Sequence, residues 1–214
     1  MASIKSYLCA TMALSVTLSI PPAYSKGELN WVGCGISKKA YVTALAQQFE
    51  QETGTHINIQ GGGATKGIRK VVSSEADLGG SCRFSLPSDP REAGVGLEPV
   101  AWDALAVIVN KDNPVDSISF ENLKKLLEGK ITNWSQLGGS DVAIDVYTRK
   151  SKFSGVGRTL RANVFADFDK ELYSTRQFKS SGPLEKAVMS DVNSIGVTGV
   201  SSARLRDVKI LKLD

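Results

Sequence analysis

The chain has 214 residues, of which 26 are lysine or arginine, 22 are aspartate or glutamate, and one is histidine. This length suits one compact domain or two small lobes. The formal charge of +4 is spread without long runs of one sign. The composition therefore suits a small anionic ligand and argues against nucleic-acid binding, which usually needs a concentrated basic patch.

Residues 1–25 have the layout of a secretory signal. Lys5 precedes an apolar run from Leu8 to Ile20, and Ala23-Tyr24-Ser25 supplies small residues for cleavage. The apolar run is shorter than the ~20 residues that a membrane-spanning helix needs, which disfavours an N-terminal anchor. We therefore expect cleavage after Ser25 and a periplasmic mature protein.

The remaining chain alternates strand and helix patterns, which is typical of an α/β fold with a largely parallel sheet. In its first part Tyr41, Leu45 and Phe49 recur every four residues and predict an apolar helix face. The predicted order there is strand 28–32, helix 38–53, strand 56–60, helix 65–74 and strand 76–79. The later part adds strands 104–109, 142–148, 194–200 and 208–213 and helices 120–128, 159–166 and 184–190.

Three glycine- or serine-rich turns each follow a predicted strand and open a predicted helix: 33–37, 61–66 and 154–157. A helix N-terminus presents unpaired N–H groups and partial positive charge, so several that converge make an anion site. A single turn of this kind is more often a tight connection without a ligand. Three such turns in one chain favour an anion-binding site.

Several segments resemble the periplasmic phosphate-binding proteins of ABC importers. They are 100–110, 118–122, 126–134 and 137–139, with Gly129-Lys130 and Trp134 as the most characteristic residues, and 75–79 and 193–197 in the expected order around them. The resemblance implies a two-lobed α/β fold with mixed, mostly parallel sheets, a hinge and an interlobe cleft. It implies lobe I at 26–100, lobe II at 101–197, and a return of 198–214 to lobe I, which would be smaller or truncated because relatives continue further.

The resemblance also implies what the protein does. It would capture phosphate or a related oxyanion such as sulfate as a monomer and deliver it to an ABC permease, without catalysis, cofactor or metal. A different class of function stays open, in which the same module serves as a sensor or partner-binding protein with a degenerate anion site. An enzyme comes third, because no general base is visible in the sequence.

The residues that the resemblance places at the ligand lie in four loops: Ile36 and Ser37, Ala64 and Thr65, Cys82 and Arg83, and Arg149 with Ser154, Gly155 and Val156. Three of them depart from the family pattern. Ala64 replaces a serine, Val156 replaces a threonine, and Cys82 replaces an aspartate that accepts a hydrogen bond from protonated phosphate. For Arg83 two interpretations stay open, a compensating donor to the ligand and an arginine without a ligand.

Cys34 and Cys82 are the cysteines that remain after the predicted signal. The resemblance brings both to one face of lobe I, and an exported protein favours a disulfide there. The chain-entropy account gives such a bridge a stabilisation on the order of 4 kcal/mol. A metal pair or a reactive cysteine is the alternative, but His56, the single histidine, lies in a predicted strand.

Overall fold

A computed structural model describes residues 27–214. The predicted secretory signal lies outside these residues. The described chain forms two main sheets, one of three strands and one of five, with a further pair of two-residue strands. The two-lobed α/β fold class predicted from the sequence is confirmed.

The three-stranded sheet, called the small sheet, is parallel with the order β2-β1-β3. Its strands are β1 (Glu28–Gly33), β2 (His56–Gly61) and β3 (Leu78–Gly80). After β1 the chain continues through α1 (Gly35–Ser37) and a π-helical turn (Lys38–Val42) into α2 (Thr43–Thr53), and α3 (Ala64–Val72) follows β2. The predicted order of strands and helices in this part is confirmed.

The helix predicted from the apolar spacing is present, but the face that carries Leu45 and Phe49 is exposed. Leu45 is 59% exposed and Phe49 is 40% exposed, and Ala46 is the buried residue of this helix. The reason is the neighbouring strand, since β2 at the sheet edge has no buried residue that could receive a helix face. Apolar spacing predicted the helix correctly but not what covers it.

The five-stranded sheet, called the large sheet, has the order β7-β6-β8-β4-β9. Its strands are β4 (Leu105–Asn110), β6 (Asp145–Arg149), β7 (Arg176–Phe178), β8 (Ser194–Gly199) and β9 (Val208–Ile210). β6 lies parallel to both β7 and β8, whereas β4 lies antiparallel to both β8 and β9. The short strands β5 (Ser117–Ile118) and β10 (Lys212–Leu213) pair separately.

Four helices accompany the large sheet: α4 (Phe120–Leu127), α5 (Gly155–Phe165), α6 (Ser181–Met189) and α7 (Val200–Ala203). One apolar cluster joins α4 and α5 to the sheet and contains the buried Leu126 and Trp134. A second cluster contains Ile108 of β4 and Leu184 of α6. Helices therefore cover both faces of the large sheet, as expected for a sheet with apolar central strands.

The C-terminal segment differs from the expectation that residues 198–214 return to lobe I. β9 pairs with β4 and β10 pairs with β5, so both of its strands extend elements of the second lobe. The physical reason is an open edge, since β4 has hydrogen-bonding groups free on the side away from β8 and β9 satisfies them. α7 reaches toward the first lobe, where Ser202 accepts a hydrogen bond from Lys39.

Candidate functional site

A cleft lies between the two sheets, at the ends of strands where helices begin. It is narrow, with a cavity volume of about 10 Å³. Its lining comes from both sheets and consists of Cys34, Gly35, Gly63, Ala64, Cys82, Arg149, Gly155, Val156, Ser180 and Ser181. Clefts at the carboxyl ends of parallel strands are the usual ligand sites of open α/β sheets.

Three helices of eight or more residues begin at this cleft: α3, α5 and α6. The residue before α3 is Gly63, whose φ of 92° is a conformation that side chains disfavour. Ser154 caps α5 by accepting a hydrogen bond from the Gly157 N–H at 3.1 Å. The free N–H groups of three first turns therefore surround the same space, which gives it a positive partial charge.

The disulfide predicted between Cys34 and Cys82 is confirmed. It joins the loop after β1 to the loop after β3, with Cα atoms 6.3 Å apart. The bridge also forms part of the cleft wall. Gly155 at the start of α5 packs directly on it, because a Cβ built there would lie 2.5 Å from the Cys82 sulfur. A residue larger than glycine would push the two lobes apart at this point.

Arg149 is the one formally charged side chain in the cleft lining. It is 7% exposed, and its guanidinium donates from Nη1 to the Ser181 hydroxyl at 2.7 Å and from Nη2 to the Lys179 carbonyl at 2.8 Å. Its Nε is buried without a hydrogen-bond partner, and no carboxylate lies within ion-pair distance of it among the described residues. Burial lowers the pKa of Arg149 to about 10, so the side chain keeps its charge at neutral pH.

Behind the start of α6 lies a carboxylate that holds several elements together. Glu185 is fully buried, and its Oε1 accepts hydrogen bonds from Thr198 at 2.8 Å and Ser202 at 2.6 Å. Its Oε2 accepts from Lys39 at 2.7 Å and Arg206 at 3.0 Å. Burial alone would raise the pKa of Glu185, but these donors outweigh it and hold the pKa lowered. Lys39 belongs to the first lobe, so this ion pair crosses between the lobes.

Arg83 is engaged by the protein rather than directed at the cleft. Its Nη1 and Nη2 donate to the two carboxylate oxygens of the buried Glu92, at 2.8 Å and 2.7 Å. Its Nε donates to the Phe153 carbonyl at 2.8 Å, and its remaining N–H groups reach the Phe84 carbonyl and the Thr65 hydroxyl. All of its donors are therefore used, so of the two interpretations left open by the sequence the geometry favours the one without a ligand.

The Phe153 carbonyl also connects the lobes, since it accepts a second hydrogen bond from the Thr65 hydroxyl at 3.0 Å. Thr65 and Arg83 belong to the loops of the small sheet, whereas Phe153 lies between β6 and α5. The loops are thus joined across the mouth of the cleft. Thr65, predicted as a ligand residue, has its hydroxyl proton committed to this contact.

The structure brings together some of the predicted site residues and separates others. Ala64, Cys82, Arg149, Gly155 and Val156 line the cleft. Ile36 and Ser37 are buried next to it, and Ser154 acts as a helix cap. Ser180 and Ser181 line the cleft but were missed as site residues. The sequence held a signal for them, because Ser180-Ser181-Gly182-Pro183 is a typical helix start that follows a strand.

Residues 27–214 contain no group of three or more histidine, cysteine, aspartate or glutamate side chains placed to hold a metal ion. Over the same residues, no helix is long and apolar enough to cross a membrane. The chemistry that the cleft offers is hydrogen-bond donation and positive charge, which together suit a small anion.

Comparisons with known proteins agree with this chemistry. A family model described as the PBP superfamily domain matches residues 34–209. The phosphate-binding protein PstS of Bacillus subtilis (strain 168) is 30% identical over 126 residues, which is 58% of this chain and 42% of that protein. PstS of Borreliella burgdorferi is 27% identical over 155 residues, 70% of this chain and 55% of that protein. The chain thus spans about half the length of the curated relatives it matches.

A solved structure from Clostridium perfringens extends the likeness to the fold. It is an X-ray structure assigned as a phosphate ABC transporter substrate-binding protein with bound phosphate. It superimposes with a TM-score of 0.73 at 27% sequence identity, and the match covers 88% of this chain and 76% of that one.

Proposed function

Because the chain belongs to the PBP superfamily, we propose that it captures phosphate or a related oxyanion in its cleft and supplies it to an ABC importer. The observation that carries the proposal is Arg149, a buried arginine of the cleft lining that has an unpaired Nε and no carboxylate partner among residues 27–214. A buried charge of this kind is costly unless another charge compensates it. An oxyanion in the cleft supplies that charge.

The donors around Arg149 support the same ligand class. The first turns of α3, α5 and α6 offer backbone N–H groups, and the hydroxyls of Ser180 and Ser181 add side-chain donors. Backbone N–H groups and arginine form short, strong hydrogen bonds to charged oxygens. A tetrahedral anion has several such oxygens and can use donors from different directions.

The remaining parts of the proposal concern location, partners and motion. The protein acts in the periplasm after removal of residues 1–25, as a monomer, without catalysis, and meets the permease of the importer. The lobes are residues 26–100 and 101–197, which close over the ligand. The contacts of Thr65 and Arg83 with the Phe153 carbonyl support closure at the mouth, and Lys39 with Glu185 supports it at the back.

One observation favours a second candidate function, a sensor or partner-binding module with a degenerate anion site. Thr65 and Arg83, two of the residues that the family resemblance places at the ligand, are committed to protein contacts. In that case the lobes would be held closed by those contacts, and the cleft would bind no oxyanion tightly.

Isothermal titration calorimetry of the mature protein with sodium phosphate and sodium sulfate separates the two candidates. We expect binding well below 1 mM, a concentration that corresponds to about 4 kcal/mol of binding free energy. Replacing the buried arginine, as Arg149→Met, should weaken binding at least tenfold, because charge-assisted hydrogen bonds contribute roughly 1.5–3 kcal/mol each.

The matched control is Arg204→Met, which removes the same charge from an exposed position at the end of α7. It should bind as the unmodified protein does. If neither anion binds below millimolar concentration, the transport function is wrong and the second candidate replaces it.

A further inference from the structure

The polar groups of the cleft are arranged to donate hydrogen bonds. Arg149 and the backbone N–H groups can only donate. The Ser181 oxygen already accepts from Arg149, and the Ser154 oxygen already accepts from Gly157. Each of these hydroxyls therefore offers its proton to a neighbour. The disulfide sulfurs of Cys34 and Cys82 bring no donor and are weak acceptors.

No carboxylate lies among the described residues that line the cleft. Glu185 lies on α6, which begins at the cleft, and Glu92 pairs with Arg83, the residue after Cys82. Both carboxylates are buried and hydrogen-bonded to the protein. Glu185 accepts four hydrogen bonds, and Glu92 accepts two from Arg83 and one from the Leu86 N–H. Neither has an oxygen left for a ligand.

We propose that the cleft prefers tetrahedral oxyanions that carry no proton, a refinement that rests on the oxyanion-binding function proposed above. A protonated oxyanion has an O–H group that needs an acceptor. In this cleft that O–H would face N–H donors and a guanidinium, with no carboxylate among the described lining residues to accept its hydrogen bond. A fully ionised oxyanion has acceptors on all sides and one more negative charge to offset Arg149. The phosphate monoanion carries two protons, the dianion carries one and sulfate carries none. The cleft should therefore accept sulfate at least as readily as the phosphate dianion, and the dianion more readily than the monoanion.

The proposal has a pH signature because phosphate loses its second proton near neutral pH, whereas sulfate carries none there. The protein itself should not change charge at the cleft in that range. Arg149 has a pKa of about 10, Glu185 and Glu92 have lowered pKa values, and Cys34 and Cys82 are bridged. Lys39 and Arg83 are held in ion pairs with those two glutamates.

Histidine is the side chain that ordinarily titrates between pH 6 and 8. The chain has one, His56, and it lies at the first residue of β2. The cleft is reached only after the last residue of that strand, Gly61, so His56 lies at the far end of β2. A change in affinity over this pH range therefore reports the protonation state of the ligand.

The experiment measures the dissociation constants of inorganic phosphate and sulfate by calorimetry at pH 6 and pH 8, at constant ionic strength. We expect phosphate to bind about fivefold or more tightly at pH 8 than at pH 6, in step with its dianion fraction. The affinity for sulfate should change by less than about twofold between the two pH values, and sulfate should bind at least as tightly as phosphate at pH 8, where phosphate still carries one proton.

Phosphate binding that is equal or stronger at pH 6, with sulfate rejected, would overturn the inference while leaving the oxyanion-binding function in place. Failure of both anions to bind at either pH would remove the function and the inference together. These outcomes are distinguishable within one set of titrations on the unmodified protein.

A second measurement adds the missing acceptor at the first residue of α3. Ala64→Asp places a carboxylate at the cleft wall, and Ala64→Asn is the uncharged control of the same shape. Relative to Asn, the Asp variant should bind sulfate at least about tenfold more weakly at pH 8 and should lose less affinity for phosphate at pH 6. Equal losses for both ligands would contradict the proposal, and the titrations of the unmodified protein decide it if the Asp variant does not fold.

Discussion

In the large sheet all six residues of β8 are buried, whereas in the small sheet no residue of β2 is. The same contrast holds for the helices, since Leu126 of α4 is 1% exposed and Leu45 of α2 is 59% exposed. Helices that follow strands of both sheets nevertheless begin at the same cleft. The comparison shows that a binding site needs two precisely held walls but not two equal apolar cores.

The small-sheet region, residues 28–92, uses other interactions where its core is thin. The disulfide between Cys34 and Cys82 links two of its loops. A buried ion network adds to this, in which Glu92 pairs with Arg83 at 2.7 Å and Arg69 pairs with Asp89 at 2.8 Å. The large-sheet region, residues 105–213, relies mainly on its two apolar clusters. Small cores that are supplemented by covalent or ionic links are a general solution to limited apolar burial.

Removing the disulfide should have the largest effect on stability, and this effect should be concentrated in the small-sheet region. The double variant Cys34→Ser/Cys82→Ser should lower the free energy of unfolding by about 4 kcal/mol, because the unfolded chain regains the freedom of a long closed loop. Urea denaturation of the oxidised protein and of the variant measures the loss. Hydrogen exchange should show it mainly in β1, β2 and β3. An equal rise in exchange in the large sheet would contradict the comparison.

Breaking the ion network should lower the free energy of unfolding by nearly as much as removing the disulfide. Arg83→Met leaves the buried Glu92 without its two-pronged partner, and we expect a loss of about 3 to 4 kcal/mol in urea denaturation. Arg149→Met is the matched variant. Arg149 is also a buried arginine, but it has no carboxylate within ion-pair distance among the described residues, so its removal leaves no buried carboxylate unpaired. This variant should stay within about 1 kcal/mol of the unmodified protein while losing oxyanion affinity. Similar losses of stability in both variants would show that the two arginines have the same role.

Truncating one leucine in each region sharpens the comparison. Leu126→Ala should destabilise the protein by about 3 kcal/mol, since it leaves a cavity in the α4 cluster. Leu45→Ala, on the exposed face of α2, should change stability by less than about 0.5 kcal/mol. Thermal and urea denaturation measure both. A large effect at Leu45 would mean that α2 is covered in solution by something that packs on this face.

The smallest expected effect is on the stability of the folded protein at acid pH. The pKa values of Glu92 and Glu185, one in each region, are lowered in the folded protein because their hydrogen-bond donors outweigh burial. The unfolded chain therefore binds protons at these sites more readily. This contribution to stability is complete above the unfolded glutamate pKa of about 4.3 and is lost as the pH falls through the lowered folded values.

Urea midpoints between pH 7 and pH 3 should therefore decrease toward acid. Glu92→Gln and Glu185→Gln should each flatten that decrease, at the cost of lower stability at neutral pH where their basic partners lose a counter-charge. A slope unchanged in both variants would show that other carboxylates are responsible.

The sequence by itself determined the features that depend on local pattern. The glycine and serine turns predicted helix starts at α3 and α5, because a cap residue acts on the backbone within one turn of it. The strand of residues 104–109 followed from its unbroken apolar run, and it is the buried β4. The family resemblance brought Cys34 and Cys82 together, and the bridge is present. Ala64, Cys82, Arg149, Gly155 and Val156 line one cleft, and their role as ligand residues stays a prediction.

Only the tertiary structure decided which distant groups meet. Arg83 looked equally suited to a ligand and to solvent, and its pairing with Glu92 depends on how residues 81–104 fold back beneath α3. Ser181 joined the cleft because β7 places the start of α6 beside Arg149. Leu45 has the spacing of an apolar helix face but is 59% exposed. β9 joined the large sheet because β4 offered an open edge. Spacing along a chain fixes which side of an element is apolar, whereas burial and pairing depend on surfaces that come from elsewhere in the chain.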